Sequence, residues 1–196
     1  MDNVLYMYYF FAEDVFTKEV MQIDNIGYGF ISEYIISNKL TPFIKIIINF
    51  GGAIVLCVIT VLSVIFIKNR KMGFSVLVNL CSVSFLNIIL KMIIQRPRPE
   101  GYRLVYESGY SFPSGHSMAS MAFYGYIIYL IYINVKNKYL KWGFIFLLSM
   151  LIIMIGFSRV YLGVHYVSGV LAGFIISFAY LIIYIKIIKK VDLLKL

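Results

Sequence analysis

Apolar runs broken by short polar clusters dominate the chain from about residue 41 onward. Five such runs cover residues 46–67, 72–90, 115–135, 139–157 and 164–185. Each approaches the roughly 20 residues that a helix needs to cross the hydrocarbon core of a bilayer. In lipid every backbone N–H and C=O must be paired within its own segment. The pattern therefore predicts an all-α, polytopic transmembrane helical bundle of five spans. Pro42, Pro97, Pro99 and Pro113 all fall outside the span interiors, as residues without a backbone donor should. The N-terminal part reads differently. Residues 4–12 are apolar and aromatic but too short to span, and Glu13, Asp14, Lys18 and Glu19 then interrupt them. Lacking the basic start and small-residue cleavage site of a signal peptide, residues 1–23 are expected to form an interfacial or partly inserted helix. In residues 24–41, Ile26, Phe30, Ile31 and Ile35 recur at helical spacing, which suits a helix lying on the membrane surface. Thr41-Pro42 reads as a helix start, with Thr41 as N-cap. The organisation expected is an N-terminal amphipathic region, 1–40, and one transmembrane domain, 41–190.

Composition agrees. Of 196 residues, 61% are hydrophobic and only 14% charged, against about 25% charged in a soluble domain, and the mean hydropathy is +0.87. The net charge of +9 would suggest nucleic acid in a soluble protein. Here the excess sits in short connections: Lys68, Arg70 and Lys71; Lys136, Lys138 and Lys141; Lys186, Lys189, Lys190 and Lys195. Alternating spans bring all three clusters to one face, and the positive-inside rule makes that face cytoplasmic. The expectation is a multi-pass cell-membrane protein with a cytoplasmic C-terminus and no nucleic-acid partner. Cys57 and Cys81 fall in mid-span and read as small packing residues. With no zinc-type Cys/His spacing and no acidic cluster in the spans, no metal and no other cofactor is expected.

The opposite, extracytoplasmic face collects a different set. Alternation places Lys91, His116, Arg159 and His165 at outer span ends, and Arg98 in the long 91–113 connection. Basic residues are disfavoured on that side, and ionisable groups at membrane depth mark function by default. Two imidazoles with a lysine and several arginines suit a phosphate ester. The cations offset phosphoryl charge, arginine in bidentate fashion. Ser114-Gly115-His116 opens a helix, whose free N–H groups favour an anion. Imidazole can attack phosphorus or protonate a leaving oxygen. Taken singly, each residue has an ordinary role. Lys91, Arg98 and Arg103 can anchor at the interface, Ser114 can cap a helix, and Asn87, one turn before Lys91, can steady it. Tyr110, Phe112, Tyr161 and Tyr166 fit an aromatic belt. The joint arrangement distinguishes a site.

These residues also fall into three ordered motifs. Lys91, Arg98 and Pro99 fit K-x6-R-P. Pro113, Ser114, Gly115 and His116 fit P-S-G-H. Ser158, Arg159 and His165 fit S-R-x5-H-x3-D up to its last position. Over about residues 41–185 the chain resembles the type 2 phosphatidic acid phosphatase family, relatives of the vanadium haloperoxidases. The resemblance implies that His165 is the nucleophile that becomes phosphohistidine and that His116 is the acid for the leaving group. It implies that Lys91, Arg98, Ser114, Gly115 and Arg159 form the phosphate-binding shell, Arg159 also stabilising the transition state, and that no metal is used. Arg96 would add charge beside the motif without being essential.

The departure is Gly169, where the family has an aspartate that accepts a hydrogen bond from the nucleophilic imidazole. By analogy with the serine-protease triad, loss of such an aspartate costs on the order of 10⁴ in rate. Ser168, Glu100 or Glu107 from the outer loop, and a backbone carbonyl are the substitutes open at this stage. Gly169 and Gly173 also form a G-x-x-x-G pattern that permits close helix approach.

The function expected is that of a bacterial integral membrane lipid phosphatase acting at the extracytoplasmic face. Its substrate would be a lipid phosphate or diphosphate: undecaprenyl diphosphate, phosphatidylglycerol phosphate or phosphatidic acid. A lipid-phosphate-binding protein that hydrolyses poorly, as Gly169 would suggest, is the alternative. A transporter is the third reading, thinly supported by Asn79, Ser84 and Asn87. Oligomeric state is left open.

Overall fold

The computed structural model describes residues 21–191, all helix and loop. Helix α1 spans Gln22–Phe30 and continues as a π-helical turn over Ile31–Ile35. It is followed by α2 (Leu40–Phe50), α3 (Ala53–Phe66), α4 (Arg70–Ile94), α5 (Gly115–Asn134), α6 (Lys138–Tyr161) and α7 (Val167–Lys190). The expected interfacial or partly inserted segment lies mostly in residues 1–20, outside the described residues.

Helices α4 to α7 are each long and apolar enough to cross a membrane, and α2 with α3 makes a fifth candidate span bent by 44°. Local chemistry sets the ends. Asn69 caps α4 by accepting from the N–H of Lys71 and Met72, and Asn137 caps α6 by accepting from Tyr139 and Leu140. Both fill orphan donors of a first turn. The expected span 46–67 is therefore a broken one. Its break falls at Gly51-Gly52, the C-cap of α2 and the N-cap of α3. A Cβ on Gly51 would sit 2.6 Å from Ile155 Cγ2 and 3.2 Å from His116 Cδ2. The missing side chain lets the bend close over His116.

Two local expectations change. Helix α2 begins at Leu40, so Thr41 is already inside it. The hydroxyl that meets the Leu40 N–H is Ser37 Oγ, at 3.2 Å, while Thr41 Oγ1 donates to the Ser37 carbonyl. Pro42 still falls in the first turn, where an absent N–H costs no helix bond. In α1 the predicted apolar stripe is split. Ile31 is buried, but Ile26 and Phe30 are exposed, and the residue α1 buries completely is Asp24.

Helix α5 is central, packed on α4, α6 and α7. Hydroxyls link the spans where hydrocarbon offers no water. Tyr126 pairs with Ser75 Oγ and Tyr180 with Ser82 Oγ, and Tyr184 donates to the Ser75 carbonyl. Such bonds hold helices together when lipid supplies no hydrophobic drive between them. Gly173 works as the G-x-x-x-G pattern suggests: a Cβ there would lie 3.1 Å from Ser114 O and from Ser117 Cβ, so α7 sits hard against the start of α5. Cys57 and Cys81 are not packing residues. Both are exposed and line a cavity of about 450 Å³ between α3, α4 and α5. Nor do Tyr161 and Phe112 join an interfacial belt. Both are buried, and the Tyr161 hydroxyl accepts from the Ser37 N–H and meets Thr41 Oγ1 at 2.9 Å, tying the α1–α2 connection to the end of α6.

Candidate active site

The site forms where the 95–114 connection folds down onto the α6–α7 turn. That turn depends on Gly163, at φ +71°, where any Cβ would collide with the Tyr102 carbonyl oxygen. Only glycine takes this left-handed conformation without cost. The close approach lets Leu104 N–H bond the Leu162 carbonyl and Tyr102 Oη the Val160 carbonyl. The 95–114 connection is thereby held over Arg159 and His165.

Arg98 enters from that loop and is largely buried. Its Nε donates to the Gly109 carbonyl at 3.0 Å, Nη2 to the Ser108 carbonyl at 2.9 Å and Nη1 to the Val164 carbonyl at 2.9 Å. Three carbonyls hold the guanidinium in one orientation, 3.3 Å from His165 Nε2. Lys91, in the last turn of α4, donates to the Tyr110 carbonyl at 3.0 Å. Asn87 does not steady it; Asn87 Nδ2 instead donates to the Pro113 carbonyl.

Arg159 is fully buried at the end of α6. Its Nη2 lies 2.6 Å from Glu107 Oε1, and Glu107 Oε2 lies 3.3 Å from Arg98 Nη2. One carboxylate thus bridges both arginines. Arg159 Nε and Nη1 have no hydrogen-bond partner among the described residues. Buried donors without partners are costly, and they are what an incoming anion would satisfy. Burial alone would raise the Glu107 carboxyl, but Arg159 foremost, with His116 and Arg98, holds it below the ordinary carboxylate value.

His165 is 1% exposed. Its Nδ1 lies 2.6 Å from the Ser111 carbonyl oxygen. A carbonyl can only accept, so Nδ1 carries the proton, and Nε2 of the neutral ring keeps its lone pair toward Arg98. Burial, then the charges of Arg159, Arg98 and Lys91, hold this imidazole well below its ordinary value of 6.5, with the Ser111 bond acting weakly in the other direction. His116 stands in the first turn of α5, within electrostatic reach of Arg159, Glu107, Lys91 and Arg98. Ser114 caps that helix, accepting from Ser117 N and Ser117 Oγ. Gly115 faces Asn87, whose Oδ1 would be 3.0 Å from a Cβ. His116 and Gly115 also line the apolar cavity.

The structure therefore draws Lys91, Arg98, His116, Arg159 and His165 into one electrostatic cluster, with Ser114 and Gly115 at its edge. Arg103 stands apart, its Nε on the Pro99 carbonyl. Of the substitutes open for the aspartate at 169, the one on His165 Nδ1 is a backbone carbonyl. Ser168 Oγ is engaged with Arg96 and Asp24, and Glu107 faces the arginines. Sequence reasoning missed Asp24 and the burial of Arg96. Their 2.8 Å ion pair joins residues 72 positions apart, and nothing in the local pattern of either announces it.

Fold and site together define a multi-pass helical membrane protein with a cluster of buried arginines and two histidines where the 95–114 connection meets the α6–α7 turn. Residues 72–192 match the family model of the PAP2 superfamily, and the chain belongs to that superfamily. It is 44% identical over 91 residues to phosphatidylglycerophosphatase B of Bacillus subtilis (strain 168), a match covering 45% of this chain and 44% of that protein. It is 29% identical over 120 residues to sphingosine-1-phosphate phosphatase 1 of Rattus norvegicus, covering 56% of this chain and 26% of that one. The matched stretch thus spans less than half the length of these curated relatives. The fold is that of the first transmembrane PAP2-type phosphatidylglycerolphosphate phosphatase crystallised from Bacillus subtilis, with a TM-score of 0.80 and 26% identity over 97% of this chain and 98% of that one. Aquifex aeolicus LpxE shares the fold at a TM-score of 0.67 and 22% identity, covering 85% and 96%.

Proposed function

We propose that this protein is a membrane phosphatase that hydrolyses a lipid phosphate monoester or diphosphate, without metal, through a phosphohistidine on His165. The observation that carries the reading is the pair Arg98 and Arg159, already clamped on one carboxylate next to an imidazole whose free nitrogen faces Arg98. A phosphoryl group is a larger, more highly charged version of that anion. In the first step His165 Nε2 attacks phosphorus, an N–P bond forms, and the P–O bond to the lipid breaks. His116 gives its proton to the leaving oxygen. In the second step water attacks phosphorus, His116 takes the water's proton, and the N–P bond breaks to release phosphate. Lys91, Arg98, Ser114, Gly115 and Arg159 hold the phosphoryl oxygens, whose charge grows in the transition state.

The cavity of about 450 Å³ that begins at His116 and is lined by Leu56, Val61, Leu77 and Ile88 suits the start of a hydrocarbon tail. Undecaprenyl diphosphate, phosphatidylglycerol phosphate and phosphatidic acid all present such a tail beside their phosphate. Two of the proteins it resembles are named for lipid phosphates. The placement of Lys68, Arg70, Lys136 and Lys141 on the opposite loops supports a centre that opens on the extracytoplasmic side.

The test is phosphate release from a panel of lipid phosphates and diphosphates in detergent, with a chelator present. Release should persist with chelator and fall about 10³-fold or more in His165→Ala. Release no greater than in that variant would leave the competing reading, a lipid-phosphate binder that hydrolyses poorly.

A further inference from the structure

Gly169 removes the family's acceptor for His165, and the geometry around it shows what fills the space. A Cβ at 169 would stand 3.2 Å from the Ser111 carbonyl oxygen and 3.7 Å from Phe112 Cδ2. A side chain here would start against the oxygen that bonds His165 Nδ1. Backbone from the outer loop thus occupies the ground that a carboxylate would need, and a carboxylate would face that oxygen with like partial charge.

A loop carbonyl orients a ring only if the loop is itself fixed. Ser111 is pinned twice. Its N–H donates to the Arg96 carbonyl at 2.8 Å, and its Oγ to the Pro97 carbonyl at 2.5 Å. Ser114 N–H donates to the Gly169 carbonyl at 3.0 Å, which ties the loop's far end to α7. Arg96 is pinned in turn. It is 0% exposed, with Nη2 2.8 Å from Asp24 Oδ2, Nη1 2.7 Å from Ser168 Oγ, and its guanidinium over the Tyr166 ring at 4.4 Å. Asp24, also 0% exposed, accepts from Ser168 N–H through Oδ1 and from Ser168 Oγ through Oδ2, both at 2.8 Å. It therefore fills an orphan donor in the first turn of α7, the turn that carries residue 169. A buried ion pair adds little net stability by itself, because desolvation offsets much of its attraction. Here the pair clamps together the two strands of chain that flank the His165 ring.

We propose that the Ser111 backbone carbonyl is the acceptor that orients the His165 imidazole in place of the missing aspartate. In this arrangement Asp24, brought in by α1, is a positioning residue that fixes this carbonyl through Arg96 and Ser168. The proposal rests on His165 being the nucleophile, but its test reads the ring directly and does not require turnover. The chain has two histidines, so histidine-selective ¹⁵N labelling in detergent gives two imidazoles, assigned with a His116→Asn variant. In the unaltered protein at neutral pH, His165 should be a single tautomer with Nδ1 protonated and Nε2 bare. A ring protonated on Nε2, or averaging between both forms, would overturn the carbonyl assignment. In Asp24→Asn, which keeps shape and removes charge, the single tautomer should give way to averaging while the His116 signals stay in place. An unchanged His165 in that variant would overturn the role of Asp24. Should Asp24→Asn fail to fold, Ser168→Ala keeps the ion pair, removes the hydroxyl that both partners share, and carries the same comparison with the same two outcomes. Gly169→Asp supplies a separate reading in activity. With the position already filled it should gain no more than about twofold in kcat, whereas a gain of about tenfold or more would show that the ring lacked an acceptor.

Discussion

On the proposed function, the carboxylate of Glu107 sits where Arg98 and Arg159 would meet phosphoryl oxygens, so an entering substrate would displace it or share both guanidinia with it. Glu107→Gln removes the competing charge and keeps the shape. Inhibition by inorganic phosphate should then strengthen several-fold, read as a lower inhibition constant in a phosphate-release assay. Weaker inhibition would mean that Glu107 chiefly holds the arginines in position. His165 makes the second prediction at this scale. The folded protein keeps its imidazole neutral well below 6.5, while the unfolded chain takes up a proton near that value. As pH falls below 6.5 the unfolded state binds more protons than the folded one, and stability declines. The melting temperature in detergent should therefore drop between pH 7 and 5 by more in the unaltered protein than in His165→Asn, whose other groups titrate alike. Residue identities pointed to this cluster in advance. Lys91, Arg98, His116, Arg159 and His165 could be picked out because cations and imidazoles are conspicuous against hydrocarbon. The Ser111 carbonyl could not, since every residue has one and only the fold says which one meets a ring.

At the scale of elements, composition announces long apolar helices well and their interruptions poorly. The second to fifth expected spans reappear as α4 to α7; α4 and α6 begin a residue or two before the expected spans, because the caps Asn69 and Asn137 lie just beyond the apolar core of each run. The first expected span hides a 44° bend. Gly51-Gly52 is the visible sign, but paired glycines in an apolar run suit close packing as readily as a break. The stripe in residues 24–41 misled for another reason. An isoleucine facing lipid satisfies the same periodicity as one facing protein, so the pattern cannot say which side of α1 turns inward. The inward side is settled by Asp24, whose partner lies 72 residues away.

At the scale of the whole molecule, alternation of spans was enough to gather residues from about 75 positions of chain at one end of the bundle. What it could not supply was the manner of closure: the 95–114 connection tied to the α6–α7 turn through Gly163, and α1 bolted to that connection and to the first turn of α7 through Asp24. These contacts are long-range and polar, and they leave no period in the sequence. The bent pair α2–α3 carries one more consequence. On the proposed function, a chamber lined by His116 and by exposed residues of α3 and α4 would be loaded sideways, from a two-dimensional solution. Under that supply line, turnover should follow the mole fraction of lipid in the micelle or leaflet rather than its bulk molarity. Adding inert detergent at fixed substrate should slow the reaction by dilution alone.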